Sequence, residues 1–393
     1  MRGRDDDFNP SRDLPGYDVS RAKRYSRTRL AVSLAGSAFS LTRSVWFARS
    51  GRSARLRTWA MDSTPHPVAA DAVYLLTEGI GSWLAAMPVS YVGGHAIERR
   101  YGLTKQSSAG WMGDQLKGLV VGVAVQIPLT IGAYSVIRRR PRDWWLVLSG
   151  AAAPLMVGLS YLAPTVLMPI FNRFQQLDDV GLTARVNALS DRAGVPIAAV
   201  LTMDMSRQSE KPNAFFTGIG GSKRIVLGDT LLRTFSPEEI DGVVAHELGH
   251  QVHGDMWRFV GLAGGAGFVG AWAVSKVAPE VMRRFAASTK VSSVGDIAGL
   301  PILQLIGAVG GVFAGPAMAA FSRAVERRTD AYAMRLTGDG DAYAAAMGKL
   351  ATYSLADPDP PGVLVFLLAS HPPIAARIRA ARAFERSKLD TET

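Results

Sequence analysis

The chain has 393 residues, of which 48% are hydrophobic and only 20% charged, with a mean hydropathy of +0.11. That balance describes a protein solvated partly by lipid rather than an ordinary soluble domain. The net charge of +11 sits on Arg and Lys at the ends of apolar runs, with no basic stretch interleaved with aromatics, so no nucleic-acid partner is expected; the absence of cysteine excludes disulfides, thiolate metal sites and Cys nucleophiles.

Residues 1–28 read as a polar, disordered N-terminal tail, too charged and too long for the start of a cleavable signal. Four apolar runs follow within residues 29–171, each of a length suited to crossing a bilayer, which takes about 20 helical residues. The first, 30–48, is interrupted by Arg43. The second, 68–96, carries Glu78 in mid-span, and the third, 116–137, ends at Arg138, Arg139 and Arg140. The fourth, 144–171, opens on a Trp pair suited to the membrane interface. Asp71 and Glu78 are costly in lipid and are expected to face the protein interior.

Residues 172–256 read as a small folded unit. Leu182, Val186 and Leu189 have helical spacing within 180–193. Three short β-like runs follow, at 199–205, 214–219 and 224–227, with Gly220-Gly221-Ser222 as a hairpin turn between the last two. Ser236-Pro237-Glu238-Glu239 then supplies a capping Ser, a Pro in the first helical position and a Glu three residues after the Ser, which together start a helix. Two further spans lie within 257–322, at 257–277 and 297–321, which makes six in all, and residues 323–393 complete the catalytic part with C-terminal helices. The fold class expected is mainly α: a polytopic helical membrane protein with a zincin-like catalytic domain that contains a small β-sheet.

The helix launched at Ser236 carries His246-Glu247-Leu248-Gly249-His250. Residues four apart on a helix share a face, so both imidazoles reach one ion. Catalytic zinc takes three protein ligands and keeps one position for water, and Glu247, about 100° around the helix, approaches that water without competing as a ligand. The ion expected is one Zn2+ per chain. His253 lies about 10.5 Å along the axis from His246, too far to share the ion. The better third ligand is Glu326, on the continuation of the sixth span, with Asp330 one turn further to accept the free ring N–H of a ligating His.

At this point the sequence resembles the CAAX prenyl protease 1 family of integral-membrane zinc metallopeptidases. The resemblance runs from about Glu98 onward. It rests on Arg100-Tyr101-Gly102-Leu103-Thr104-Lys105-Gln106, Pro169-Ile170-Phe171-Asn172-Arg173-Phe174, and Asn213-Ala214-Phe215-Phe216-Thr217-Gly218 with Arg224-Ile225-Val226-Leu227. HELGH, Glu326 with Asp330, and His371-Pro372-Pro373 with Arg377 complete the series. It implies a helical membrane barrel around a hydrated chamber, a strand from Asn213 through Ala214 and Phe215 that holds substrate in extended form, and His371 and Arg377 facing the reacting carbonyl. The chain departs from the pattern at Thr329, where the family usually has Ala, and in having six spans rather than seven. Gln251-Val252-His253-Gly254-Asp255 resembles the related heat-shock membrane proteases as much as the CAAX branch.

The function expected is zinc-dependent endopeptidase activity in a lipid bilayer on peptide or protein substrates, C-terminal or membrane-associated, with Glu247 as general base and then general acid. Two alternatives stand beside it: a quality-control protease of the heat-shock type, and a non-catalytic scaffold with a structural metal site. The tail carries eight Lys/Arg, counting to Arg29, against four in residues 49–68, which favours a multi-pass protein of the cell membrane with the catalytic part cytoplasmic.

Overall fold

The computed structural model describes residues 8–392. Its elements begin with a short helix α1 (Pro10–Asp13) and the long α2 (Val19–Arg49), then α3 (Arg52–Asp62), α4 (Pro67–Arg100), α5 (Ser108–Arg139) and α6 (Trp144–Phe171). A compact unit follows: β1 (Phe174–Gln176), α7 (Val180–Arg192), β2 (Ala199–Met203), β3 (Ala214–Thr217), β4 (Arg224–Gly228), α8 (Asp229–Thr234) and α9 (Pro237–Val252). The chain then runs through α10 (Asp255–Thr289) and α11 (Ile297–Thr337), and ends in α12 (Gly340–Ser354), α13 (Gly362–Leu368) and α14 (Ile374–Glu392).

Five of these helices, α4, α5, α6, α10 and α11, are long and apolar enough to cross a membrane. Their outward faces carry large apolar side chains that a watery surface does not favour, such as Val120, Val269 and Phe313, the last 79% exposed. The expected first span, 30–48, lies within α2 and falls short on hydropathy because Arg43 and several Ser interrupt its apolar run. Its two ends nevertheless lie at opposite ends of the molecule. Near its start, Tyr25 packs with Leu355 of the C-terminal region, whereas Ala48 at its end packs with Met282 and Val291, which flank the α10–α11 turn. Arg43, which breaks the apolar run, pairs with Glu78 of α4 at 3.1 Å, so two charges costly in lipid neutralise each other. Asp71 is likewise buried and accepts from Arg138 at 3.0 Å.

From residue 8 onward the N-terminal segment is not the disordered tail that its charge suggests, and residues 1–7 of that expected tail lie outside the described residues. Leu14 is buried in the main core, Asp13 pairs with Arg382, and the Tyr17 hydroxyl donates to the carbonyl of Ala356 at 2.7 Å. A few well-placed apolar and hydrogen-bonding groups outweigh the charged composition around them.

The sheet has the order β1-β2-β4-β3, with β2 and β4 parallel and both outer pairs antiparallel. The three β-like runs form strands, the first two shorter than expected and the third one residue longer, and β1 adds a fourth that the sequence does not announce. The turn before β4 forms at Gly220–Ser222 as a 3-10 turn. Among the described residues β3 pairs with β4 alone, which leaves it a free edge. One apolar core joins this sheet to α9, α11, α12 and α14: Ile225, Leu227, Val244, Leu248, Met347 and Ile378 are almost wholly buried, each contributing about 1.5–3 kcal/mol relative to exposure.

Candidate metal centre

Helix α9 begins as its sequence dictates. The Ser236 side chain accepts from the amide of Glu239 at 3.3 Å, and the Glu239 carboxylate accepts from the amide of Ser236 at 2.7 Å. Lys349 of α12 donates to the same carboxylate at 2.6 Å, which ties the helix start to the core. Ala245 and Leu248 face the core and turn His246 and His250 toward α11. The two helices come close at Gly249, where a Cβ would lie 2.8 Å from Cγ2 of Thr329 and 3.0 Å from Cδ1 of Tyr332.

This close approach brings Glu326 to the imidazole pair. One ligand atom each from His246, His250 and Glu326 lie within 4.8 Å of one another. His246 Nε2 is 3.2 Å from His250 Nε2 and 3.3 Å from Oε2 of Glu326, and that oxygen is buried with no hydrogen-bond donor among the described residues. A buried carboxylate oxygen without a donor is costly. Two imidazoles and one carboxylate converging around it form a donor set suited to a metal ion.

Each imidazole is held from behind. His246 Nδ1 lies 3.0 Å from Oδ1 of Asp330, as the one-turn spacing from Glu326 predicts. Asp330 in turn accepts from Arg377 at 2.6 and 2.9 Å and from the Tyr343 hydroxyl at 2.6 Å. Arg377 is therefore buried behind His246, with its guanidinium forked onto Asp330, and is not directed at the open side of the site. His250 Nδ1 lies 2.9 Å from Oδ2 of Asp255, which also accepts from Arg328. Asp255 reaches the ring because Gly254 adopts the left-handed conformation, φ +63°, and reverses the chain between α9 and α10. Tyr343 has no signal in the sequence, and Asp255 stands there only as the end of the stretch that follows HELGH, with no role attached. The Gly254-Asp255 pair directly after the motif was the available signal for Asp255.

The open side is lined by Glu247, His371 and β3. Burial pushes the Glu247 carboxyl up, while His246 and His250 and a backbone hydrogen bond from Phe216 of β3 pull it down. His371 Nε2 stands 3.5 Å from Oε1 of Glu326, with more than half of its side chain exposed; burial lowers its pKa and Glu326 opposes the shift. For His246, burial opposes protonation, yet the carboxylates of Asp330 and Glu326 on the two sides of its ring raise its pKa to about 9. A groove of about 480 Å³ runs between Phe215, Phe216 and Thr217 of β3 and His250, Met256 and Trp257, reaching Met168 of α6. Asn213 lies at its approach, exposed, and its carbonyl accepts from Gly228 at 2.9 Å. Ala214 faces the core. His253 is not in the cluster; its ring packs edge-on against Tyr332 at 5.4 Å.

The fold and this donor set define a polytopic membrane protein with a zincin-like helix on its catalytic face. Residues 12–173 match the family model of the CAAX prenyl protease N-terminal region with five membrane helices, and residues 176–385 match that of peptidase family M48. The uncharacterized metalloprotease YhfN of Bacillus subtilis is 28% identical over 340 residues, covering 86% of this chain and 79% of that protein. CAAX prenyl protease 1 of Saccharomyces cerevisiae is 29% identical over 242 residues, 58% of this chain and 53% of that protein. The crystal structure of S. mikatae Ste24p shares the fold, with a TM-score of 0.83 at 24% identity over 92% of this chain and 88% of that one. The chain belongs to peptidase family M48 and is a multi-pass membrane metalloprotease.

Proposed function

We propose that the chain is a zinc endopeptidase in which His246, His250 and Glu326 hold one Zn2+ and Glu247 carries the proton. The observation that carries this reading is the Glu326 carboxylate, whose buried Oε2 has no hydrogen-bond donor among the described residues, set 3.3 Å from Nε2 of His246 and, through Oε1, 3.6 Å from Nε2 of His250. A zinc ion held there supplies a Lewis acid that polarises a carbonyl and lowers the pKa of water. Glu247 takes a proton from water and returns it to the leaving amine. His371, on the open side, donates to the carbonyl oxygen as charge builds on it. Asp330, with Arg377 and Tyr343, fixes the tautomer of His246, and Asp255 with Arg328 does the same for His250. Arg377 acts through Asp330 rather than on the carbonyl.

The substrate is a peptide laid in extended form along the free edge of β3, bound through main-chain hydrogen bonds near Asn213, Ala214 and Phe215. The register is set from the membrane side. Glu210 donates its amide to the carbonyl of Leu103 at 2.9 Å, and Lys211 binds Glu98 of α4 at 2.8 Å, so the approach to β3 is tied to a membrane helix. Such a strand suits segments presented at the bilayer, among them C-terminal segments of the kind that the name of the yeast relative implies. The groove equally admits segments of damaged membrane proteins. Cleavage of a farnesylated CAAX peptide beside its unprenylated twin separates the two substrate classes, and loss of cleavage on chelation with recovery on adding zinc tests the chemistry.

The catalytic unit is placed on the cytoplasmic side of the cell membrane. The support is the excess of Lys and Arg before the first span together with the packing of the N-terminal segment on the catalytic core. Because that segment and the sheet lie on one side, the chain crosses an even number of times between them, which counts α2 as a span alongside α4, α5 and α6.

A further inference from the structure

Helix α13 packs beside α11 at Arg323 and has no part in the chemistry above. Its sequence, Gly-Val-Leu-Val-Phe-Leu-Leu, contains no polar side chain, and Val363, Phe366 and Leu368 are 63%, 57% and 60% exposed. Two neighbours fix its level relative to the bilayer. Arg323, where α11 leaves its apolar run, donates to the carbonyls of Val365 and Ala369 at 2.8 and 2.7 Å. Across a groove of about 970 Å³, α2 presents Leu30, the first residue of its own apolar run, with Arg27 and Lys23 one and two turns before it. Lys23 and Arg27 have no ion-pair partner among the described residues, and Asp357 and Asp359 also line the groove. Exposed apolar side chains with unpaired cations lining the same groove match the acyl–headgroup boundary of a bilayer, which takes up exposed apolar helices and pairs Lys and Arg with lipid phosphates.

We propose that α13 is an interfacial helix seated in the headgroup zone of the membrane, and that this seating holds the His371 loop over Glu326. The link is short, because α13 ends at Leu368 and Ala369-Ser370 leads directly to His371, whose Nδ1 lies 2.9 Å from the Ser370 hydroxyl. The second clause rests on the placement of His371 in the reaction site given above, whereas the first does not.

The chain has no cysteine, so single Cys variants can be spin-labelled without background. The test uses full-length protein in nanodiscs of phosphatidylcholine and phosphatidylglycerol, labelled at Val363→Cys, Phe366→Cys or Leu367→Cys. Controls are Phe313→Cys on the outer face of α11 and Val180→Cys on the exposed catalytic unit. Collision with oxygen and with a water-soluble nickel chelate reads the depth. The expected result is that the three α13 labels favour oxygen over nickel, as at position 313 and unlike 180. Nickel accessibility equal to that at 180 overturns the proposal whatever the state of the metal site. For the second clause, Phe366→Asp should keep its metal and lose peptide cleavage through kcat; cleavage at the wild-type rate in the same nanodiscs would break the link to His371.

Discussion

Oδ2 of Asp255 lies 2.9 Å from Nδ1 of His250, on the opposite edge of the ring from the nitrogen that faces His246 and Glu326. Asp255 is itself held by Arg328 of the helix that carries Glu326, so one carboxylate couples the second imidazole to the third ligand's helix. Replacing Asp255 by Ala should lower zinc affinity about 10–100-fold while leaving the fold intact, because the imidazole loses both its orientation and its basicity. Competition against a fluorescent chelator measures this; an unchanged affinity would show that His250 is positioned by packing alone.

Glu247→Gln should retain zinc and lose cleavage by about 10²–10⁴-fold, since the amide preserves shape but cannot accept the proton. Metal content and single-turnover cleavage are read on the same preparation. A variant that cleaves near the wild-type rate removes Glu247 from the proton role.

Gly249→Ala places a methyl 2.8 Å from Cγ2 of Thr329 and so forces α9 and α11 apart. A cost of about 1–3 kcal/mol is expected from overpacking of this kind. Thr329→Ala, which removes that methyl, should recover part of it. Thermal unfolding of the two single variants and the double variant gives the coupling, and strict additivity would mean that the close approach at Gly249 is not what limits the helix spacing.

Metal loading should release a proton. His246 has its folded pKa raised from 6.5 to about 9, so the metal-free site keeps that proton between those values and gains stability from it below about 6.5. The stability is lost as pH rises through about 9. Zinc competes with the proton, and its apparent affinity therefore climbs with pH across the same window and levels off above it. Calorimetry in buffers of different ionisation enthalpy reads the proton directly, and a buffer-independent heat at pH 7 would contradict it.

Much of this site is legible in the sequence because its parts are local. Ser236 to Glu239 writes the cap of α9, four-residue spacing puts His246 and His250 on one face, and Asp330 follows Glu326 by one turn on a helix continuous with a span. What is not legible depends on distant geometry. Arg377 reads as a group facing the carbonyl, yet its guanidinium meets Asp330 and Tyr343, a partnership set by how α14 packs on α12. Asp255 reaches His250 only through the reversal at Gly254. The three-residue strand β1 shows no periodicity, and the parallel pairing of β2 with β4 joins segments separated by β3, so neither has a local signature. The N-terminal segment misleads in the opposite way, because Leu14 and Tyr17 anchor it to the core despite the charge around them.

The most direct test of the account is the metal content of purified wild-type and Glu326→Ala protein, measured by mass spectrometry alongside peptide cleavage. The account predicts one zinc per chain in the wild type, and loss of both zinc and cleavage in the variant. A Glu326→Ala protein that keeps its full zinc and its activity would contradict it.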